Sequence, residues 1–354
     1  ARDLPFAKAA NLEAGIRFAQ YENSVGGEGA DFDNTSFKIG GDWSPVDSLR
    51  LRAMFQRAVR APTLKEIGEA RTPAITELSF DPCEGTNPLG DPALEQLCLD
   101  TGVPPARLGT VTSIIAGQIG AFTGGSVALQ PEEADTVTVG FVLQPEWLPG
   151  FTASVDYYRI EIEDGIVEPV AQNVVNACYD IEQNASAPFC QRIVRSPVSG
   201  SLNAGPTVGI EITRLNASFE SAEGIDFGAS YALPVGAGEL AFGLQATYII
   251  EQIIQDADFL PRNDCAGLVG STCLRPYNEW NALLTTRWSS GPLTLQLDTR
   301  LISGVEQDAI ALAGPPPDPL PDDYVPPADL YAVDATSTYV YWDLRGQYDL
   351  NDTW

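Results

Sequence analysis

An all-β, antiparallel up-and-down transmembrane β-barrel is the fold class this sequence predicts. Three observations carry it: segments that alternate apolar and polar residues, connections that alternate between short and long, and six cysteines confined to the long connections. Successive side chains of a strand point to opposite faces, so a period of two is the strand signature. The stretch "SLRLRAMFQ" (48–56) sets Leu49, Leu51, Ala53 and Phe55 against Arg50, Arg52, Met54 and Gln56. Two arginines among such neighbours need a wet face. Bulk water beside a soluble sheet would provide one, and so would the interior of a membrane barrel. On a lipid face near mid-bilayer each arginine would cost about 2–4 kcal/mol. The expectation is therefore that Leu49, Leu51 and Phe55 face lipid while Arg50, Arg52 and Gln56 face the lumen.

The same pattern recurs along the chain. Leu12, Ala14, Ile16 and Phe18 oppose Glu13 and Arg17; Phe37, Ile39 and Trp43 oppose Lys38 and Asp42. Val137, Val139, Phe141 and Leu143 oppose Thr136 and Thr138, and Phe151, Val155 and Tyr157 oppose Ser154 and Asp156. Ile225 and Phe227 oppose Asp226; Leu244, Ala246 and Tyr248 oppose Gln245 and Thr247; Trp280 and Leu284 oppose Asn281 and Thr285. The cleanest case sets Leu293, Leu295, Leu297 and Leu301 against Gln296, Asp298 and Arg300. The last sets Val340, Trp342 and Leu344 against Asp343 and Arg345. That makes about ten strands of roughly 9–14 residues, the length a tilted bilayer crossing requires. The lumen-facing set is thus Arg50, Arg52, Gln56, Gln296, Asp298, Arg300, Asp343 and Arg345. Charges of both signs on these faces exclude a dry core on that side.

Short connections fall at 44–47, 145–150, 234–239 and 289–292, long ones at 22–33, 61–132, 164–215, 252–277 and 304–336. Tight periplasmic turns and large outer loops give this rhythm. A sandwich or propeller also alternates, but loops of such length suit it poorly. Trp43, Trp147, Trp288 and Trp342 near strand ends fit an interfacial girdle. Cys83 with Cys98, Cys178 with Cys190 and Cys265 with Cys273 form three near pairs, each expected to close a disulfide within its own outer loop in an oxidising compartment.

Composition narrows the function. Acids outnumber bases 48 to 20, a net charge of -28, which opposes nucleic-acid binding. The absence of histidine removes the commonest general base and metal ligand. No catalytic Ser motif, phosphate loop or zinc spacing occurs, so no enzyme, cofactor or metal is expected. Glu161 and Glu163, two apart on a strand, read as solvated rather than as a glycosidase pair. The Pro- and Asp-rich stretch 313–329 reads as an extended acidic loop rather than a calcium site. Segment 166–181 carries a short helix with Val170, Val174, Val175 and Cys178 on one side.

The stretch "DWSPVDSLRLRAMFQRAVRAPTLKEI" resembles the strand–turn–strand of TonB-dependent outer-membrane receptors, with its W-x-P turn and R-A-P exit. "LQPEEADTVTVGFVLQPEWLPGFTASVDYYRIEIEDGI" resembles that family's next hairpin, and "ACYDIEQNASAPFCQRI" one of its loops. The resemblance implies a 22-stranded barrel filled by an N-terminal plug, of which this chain carries about ten strands. It implies outer-membrane lipid, the plug and the TonB complex as partners. It also implies uptake of an unknown extracellular ligand: an iron-siderophore, cobalamin, a carbohydrate or similar. Neither plug nor TonB box is found in the sequence, so the chain reads as a single barrel portion of a longer receptor, with strands 12–22 and 337–349 at the edges of an open sheet. A passive porin-like channel and a structural or adhesive surface barrel are the alternative readings.

Overall fold

A computed structural model describes residues 2–4, 7–25, 28–112, 117–258, 260–313 and 333–350. Its main element is one antiparallel sheet in which each strand pairs with its neighbours along the chain. Ten long strands build it: Ala7–Val25, Glu28–Val46, Leu49–Arg60, Glu132–Leu143, Phe151–Val167, Leu215–Val235, Gly238–Gln255, Trp280–Ser290, Leu293–Ile302 and Tyr339–Tyr348. They run from 10 to 21 residues, so several continue well beyond the apolar stretch that marks them in the sequence. Among the described residues the first and last strands do not pair, and the sheet is open.

Two expectations need correction. The connection 22–33 is not a long loop: the first two long strands stay paired to Val25 and Glu28. Only Gly26 and Gly27 separate them in sequence, a two-residue hairpin signature, and polar residues can extend a ladder past the apolar stretch that marks a strand. The amino-terminal edge is not 12–22 alone. The short strand Arg2–Leu4 pairs outside residues 7–9, and among the described residues those that follow in Ala7–Val25 have no outer strand neighbour. Stretch 314–329 lies outside the described residues.

At the opposite end the hairpins close tightly. Val235 pairs with Gly238 across a turn in which Gly236 has φ 62°, and Ser290 pairs with Leu293 across Gly291 at φ 53°. That left-handed backbone costs glycine nothing. Aromatics gather at both limits of the apolar face. Trp43 and Trp288 lie near the turns, and Tyr248 stacks on Trp280 at 4.7 Å near the other limit. Trp147 instead sits exposed in the 144–150 turn, and Trp342 lies inside its strand.

The sheet is a wall, and the buried apolar core lies in the outer loops. Residues 61–112, 117–131 and 168–214 fold together into one module. Strands Thr72–Glu77, Gln118–Thr123, Gly209–Glu211 and Ile193–Val194 form its sheet. Leu78, Ile119, Val174, Val175, Leu202 and Ile210 fill its core. Helix Ala171–Asn176 runs into a wider turn, Ala177–Glu182. Val174, Val175 and Cys178 are buried, but Val170 is exposed, because it precedes the helix as its cap. Cys83 is bonded to Cys98 and Cys178 to Cys190, with Cα atoms 5.7 and 4.6 Å apart. A smaller unit joins the next two loops. Leu268–Val269 lies parallel to Glu306–Gln307, Cys265 is bonded to Cys273, and the Asp308 carboxylate accepts from the amides of Thr272 and Cys273.

Each disulfide closes a short segment and should add about 2–4 kcal/mol to its unit. Non-reducing peptide mapping of the parent protein should return these three pairs. Reduction should expose the loops to protease while the strands stay resistant; disulfides between different loops would contradict this arrangement.

Candidate functional site

Directly paired residues of an antiparallel ladder share a face, so the register assigns every side chain. Arg52 pairs with Asp42 and Gly140, Gly140 with Asp156, Asp156 with Asp226, and Asp226 with Thr247. The same face continues through Thr285 and Asp298 to Asp343. All eight residues Arg50, Arg52, Gln56, Gln296, Asp298, Arg300, Asp343 and Arg345 therefore lie on one polar face. The other face carries Leu51, Phe55, Val139, Phe141, Val155, Phe227, Leu284 and Leu295.

The polar face is built from ion pairs between strands. Arg52 grips Asp156 with two hydrogen bonds, at 2.6 and 2.5 Å. Gly140 stands between them in register, where a Cβ would come within 2.0 Å of the Asp156 carboxylate; the glycine makes room for the pair. Arg50 bonds Asp42 at 3.0 Å, Lys38 bonds Glu13, and Arg345 lies 3.3 Å from Asp298. Asp298 also accepts from Thr285 and Gln296. Asp343 sits directly opposite Asp298, and Gln56 opposite Lys38 and Thr136. Arg300 makes no ion pair among the described residues. It borders a hollow of about 490 Å³ with Asn281, Gln245, Thr247 and Asp226.

The apolar face has a sharp upper limit. Along Leu49–Arg60 it ends after Phe55 with Arg57; along Glu132–Leu143 it ends at Val137 with Asp135; along Phe151–Val167 it ends after Tyr157 with Arg159. Arg57 grips Asp135 at 2.7 and 2.5 Å, and Arg159 bonds Glu161 at 2.6 Å. Glu161 and Glu163 belong to this charged rim.

Above the rim the outer module is clamped to the wall. Thr63 caps helix Leu64–Gly68, and the Glu66 carboxylate accepts from the Thr63 amide at 2.7 Å and from Arg60 at 3.0 Å. Burial pushes the Glu66 pKa up, but the Arg60 and Thr63 hydrogen bonds outweigh it and hold it at about 2. Arg214 pairs with Glu69, and Asn216 bonds the Gln130 and Asp164 carbonyls. Inside the module Arg195 and Asp81 form a fully buried bidentate pair at 2.8 and 2.6 Å. Arg195 also donates to the Tyr179 hydroxyl, which shares a 2.6 Å hydrogen bond with Thr101. Burial works to lower the Arg195 pKa, yet Tyr179 and Asp81 carry it upward.

Sequence reading placed the polar face but not its partners. Asp42 and Asp156 could have been found by counting register outward from the short turns. Asp81 and Arg195, 114 residues apart, carry no local signal.

The sequence matches the family described as TonB dependent receptor-like, beta-barrel, over residues 3–354. The chain belongs to the TonB-dependent receptor β-barrel family. Among solved structures it is similar to a variant ferric enterobactin receptor of Pseudomonas aeruginosa in complex with enterobactin, at 14% identity and TM-score 0.54. That likeness covers 97% of this chain and 36% of the receptor. It is also similar to the siderophore receptor PirA of Acinetobacter baumannii, at 12% identity and TM-score 0.51, over 97% of this chain and 38% of that one. The chain thus spans just over a third of these receptors' length, and the likeness is one of fold. Comparison with curated proteins finds no match.

The clamp and the buried pair each generate a test. A carboxylate whose pKa is depressed by folding stabilises fully above its unfolded value, here 4.5, and loses that contribution as pH falls toward 2. Proteolysis around 61–71 should therefore quicken between pH 4.5 and 2, and Glu66→Gln should flatten the dependence. Asp81→Ala leaves a buried guanidinium without its anion, at a cost of about 3–5 kcal/mol. Hydrogen exchange of the outer module should rise sharply in that variant, and unchanged exchange would contradict the pairing.

Proposed function

We propose that this chain forms part of the wall and outer loops of an outer-membrane receptor for active uptake of a scarce extracellular ligand, a ferric siderophore first among the candidate classes. The observation that carries this reading is a single sheet whose two faces suit opposite solvents, topped by disulfide-bonded loop modules. Leu49 to Phe55 is seven residues, about 20 Å of strand, close to the apolar band of about 25 Å that outer-membrane barrels present to lipid. The apolar face meets lipid. The ion-paired face, with Arg50, Arg52, Gln56, Gln296, Asp298, Arg300, Asp343 and Arg345, lines the lumen against the receptor's plug and trapped water.

The outer modules receive the ligand. Their buried cores hold loop surfaces in place, which lowers the ordering cost of binding. Siderophore chemistry is favoured by the fold neighbours, which are siderophore receptors. The residues described here have a positioning role, and no catalytic role is assigned to them. Energy would arrive through the TonB complex acting on the plug.

Two experiments test this. In cells carrying the full parent receptor, uptake of a ferric siderophore should require the protonmotive force; equal uptake after its collapse would favour a passive channel. In lipid vesicles, Leu51→Arg or Leu295→Arg in the parent should lower folding by about 2–4 kcal/mol, while Gln296→Leu should insert nearly normally. Equal tolerance on both faces would overturn the assignment of lipid and lumen.

A further inference from the structure

The wall has a split in its upper rim. Strand Glu28–Val46 pairs with Ala7–Val25 from Ser44 opposite Ala9 up to Glu28 opposite Val25. Its ladder with Leu49–Arg60 begins only at Phe37 and Arg57. Residues 31–36 therefore have a strand partner on one side alone, and they make no other backbone hydrogen bond among the described residues. Behind the split, helix Leu64–Gly68 closes the lumenal side by packing Ile67 against Phe32.

What remains is a notch of about 630 Å³ that opens on the outer face, just above the apolar limit. Asp31, Asp33 and Thr35 project into the open from the free edge. Glu133, Asp164 and Gln130 border the other side. Arg57, the one cation of the lining, is already held by Asp135 and Glu133. Asp31, Asp33 and Asp164 have no ion pair among the described residues. The Asn34 amide also lines the notch, buried, with its Nδ2 lacking a partner.

A free strand edge is a template for another strand: its N–H and C=O groups give affinity, and alternate side chains give specificity. Here the alternate outward side chains are acidic. We propose that this edge is a docking site for an extended basic polypeptide segment, which adds to residues 31–36 as a further strand and sets its Lys or Arg residues against Asp31, Asp33 and Asp164. The net charge of -28 carried by this chain would steer such a partner toward it. An anionic lipid headgroup is disfavoured by the same carboxylates. The site is separate from the uptake path, since it faces outward and helix Leu64–Gly68 stands between it and the lumen.

The test uses the full parent receptor in detergent and two fluorescein-labelled decapeptides, one alternating Lys and Thr, the other Glu and Thr. The basic peptide should raise fluorescence anisotropy and slow deuterium exchange at residues 31–36, and added salt should weaken it. Asp31→Asn with Asp33→Asn, two exposed positions, should weaken binding about fivefold, the size expected for two solvent-exposed ion pairs. Unaltered heat-modifiability on gels would show that this variant still folds. Four results would overturn the proposal. They are equal binding of the acidic peptide, binding indifferent to the two substitutions, protection without peptide of those amides among 31–36 that do not bond strand Ala7–Val25, and protection by lipopolysaccharide with calcium but not by peptide. None of these readouts depends on whether the receptor takes up a siderophore.

Discussion

A bilayer supplies no water to a backbone, and the rest of this structure follows from that constraint. Each N–H and C=O within the hydrocarbon must be satisfied by a neighbouring strand. Once strands are obligatory, the side chains divide by parity. Leu51 and Arg52 are adjacent in sequence and lie on opposite faces of the sheet. The ion pairs of the polar face respond to the same constraint. Arg52 reaches Asp156 two strands away because the intervening residue is Gly140. Arg52 with Asp156, Arg50 with Asp42 and Lys38 with Glu13 neutralise one another within the wall, whereas Arg300 and Asp343 make no ion pair among the described residues.

Above the rim, different physics takes over. The outer module is a small folded unit with a core, two disulfides and a buried Arg195–Asp81 pair. Small units with limited apolar burial depend on such crosslinks. Breaking the buried pair would cost far more than a surface bridge would. Its anchorage runs through side chains at the strand ends: Arg60 with Glu66, Arg214 with Glu69, and Asn216 with two carbonyls. The wall fixes where the loops start, and the module fixes what surface they present.

These two regimes explain what could be read from sequence. Parity is local, so Leu293 to Leu301 against Gln296, Asp298 and Arg300 declared both faces before any partner was known. Cysteine pairs 15, 12 and 8 residues apart were equally legible, since short loops are easy to close. Strand ends above the apolar limit were not, because polar residues in a ladder and in a loop look alike; hence the paired stretch around Gly26 and Gly27 read as a loop. The module's sheet was invisible for another reason. It joins segments such as Gln118–Thr123 and Gly209–Glu211, whose pairing depends on tertiary contacts across many residues. Val170 shows the same limit at small scale, since helical spacing alone could not tell a cap from a first turn.

The central claim is that one face of this sheet meets lipid and the other meets water. Nitroxide scanning of residues 293–301 in the full parent receptor, reconstituted in a bilayer, tests it most directly. Collision rates with oxygen, which concentrates in lipid, and with a water-soluble nickel chelate are read at every position. Oxygen accessibility should peak at Leu293, Leu295, Leu297, Thr299 and Leu301 and fall at Thr294, Gln296, Asp298 and Arg300. A profile without a period of two, or with oxygen maxima at the even positions, would contradict the account.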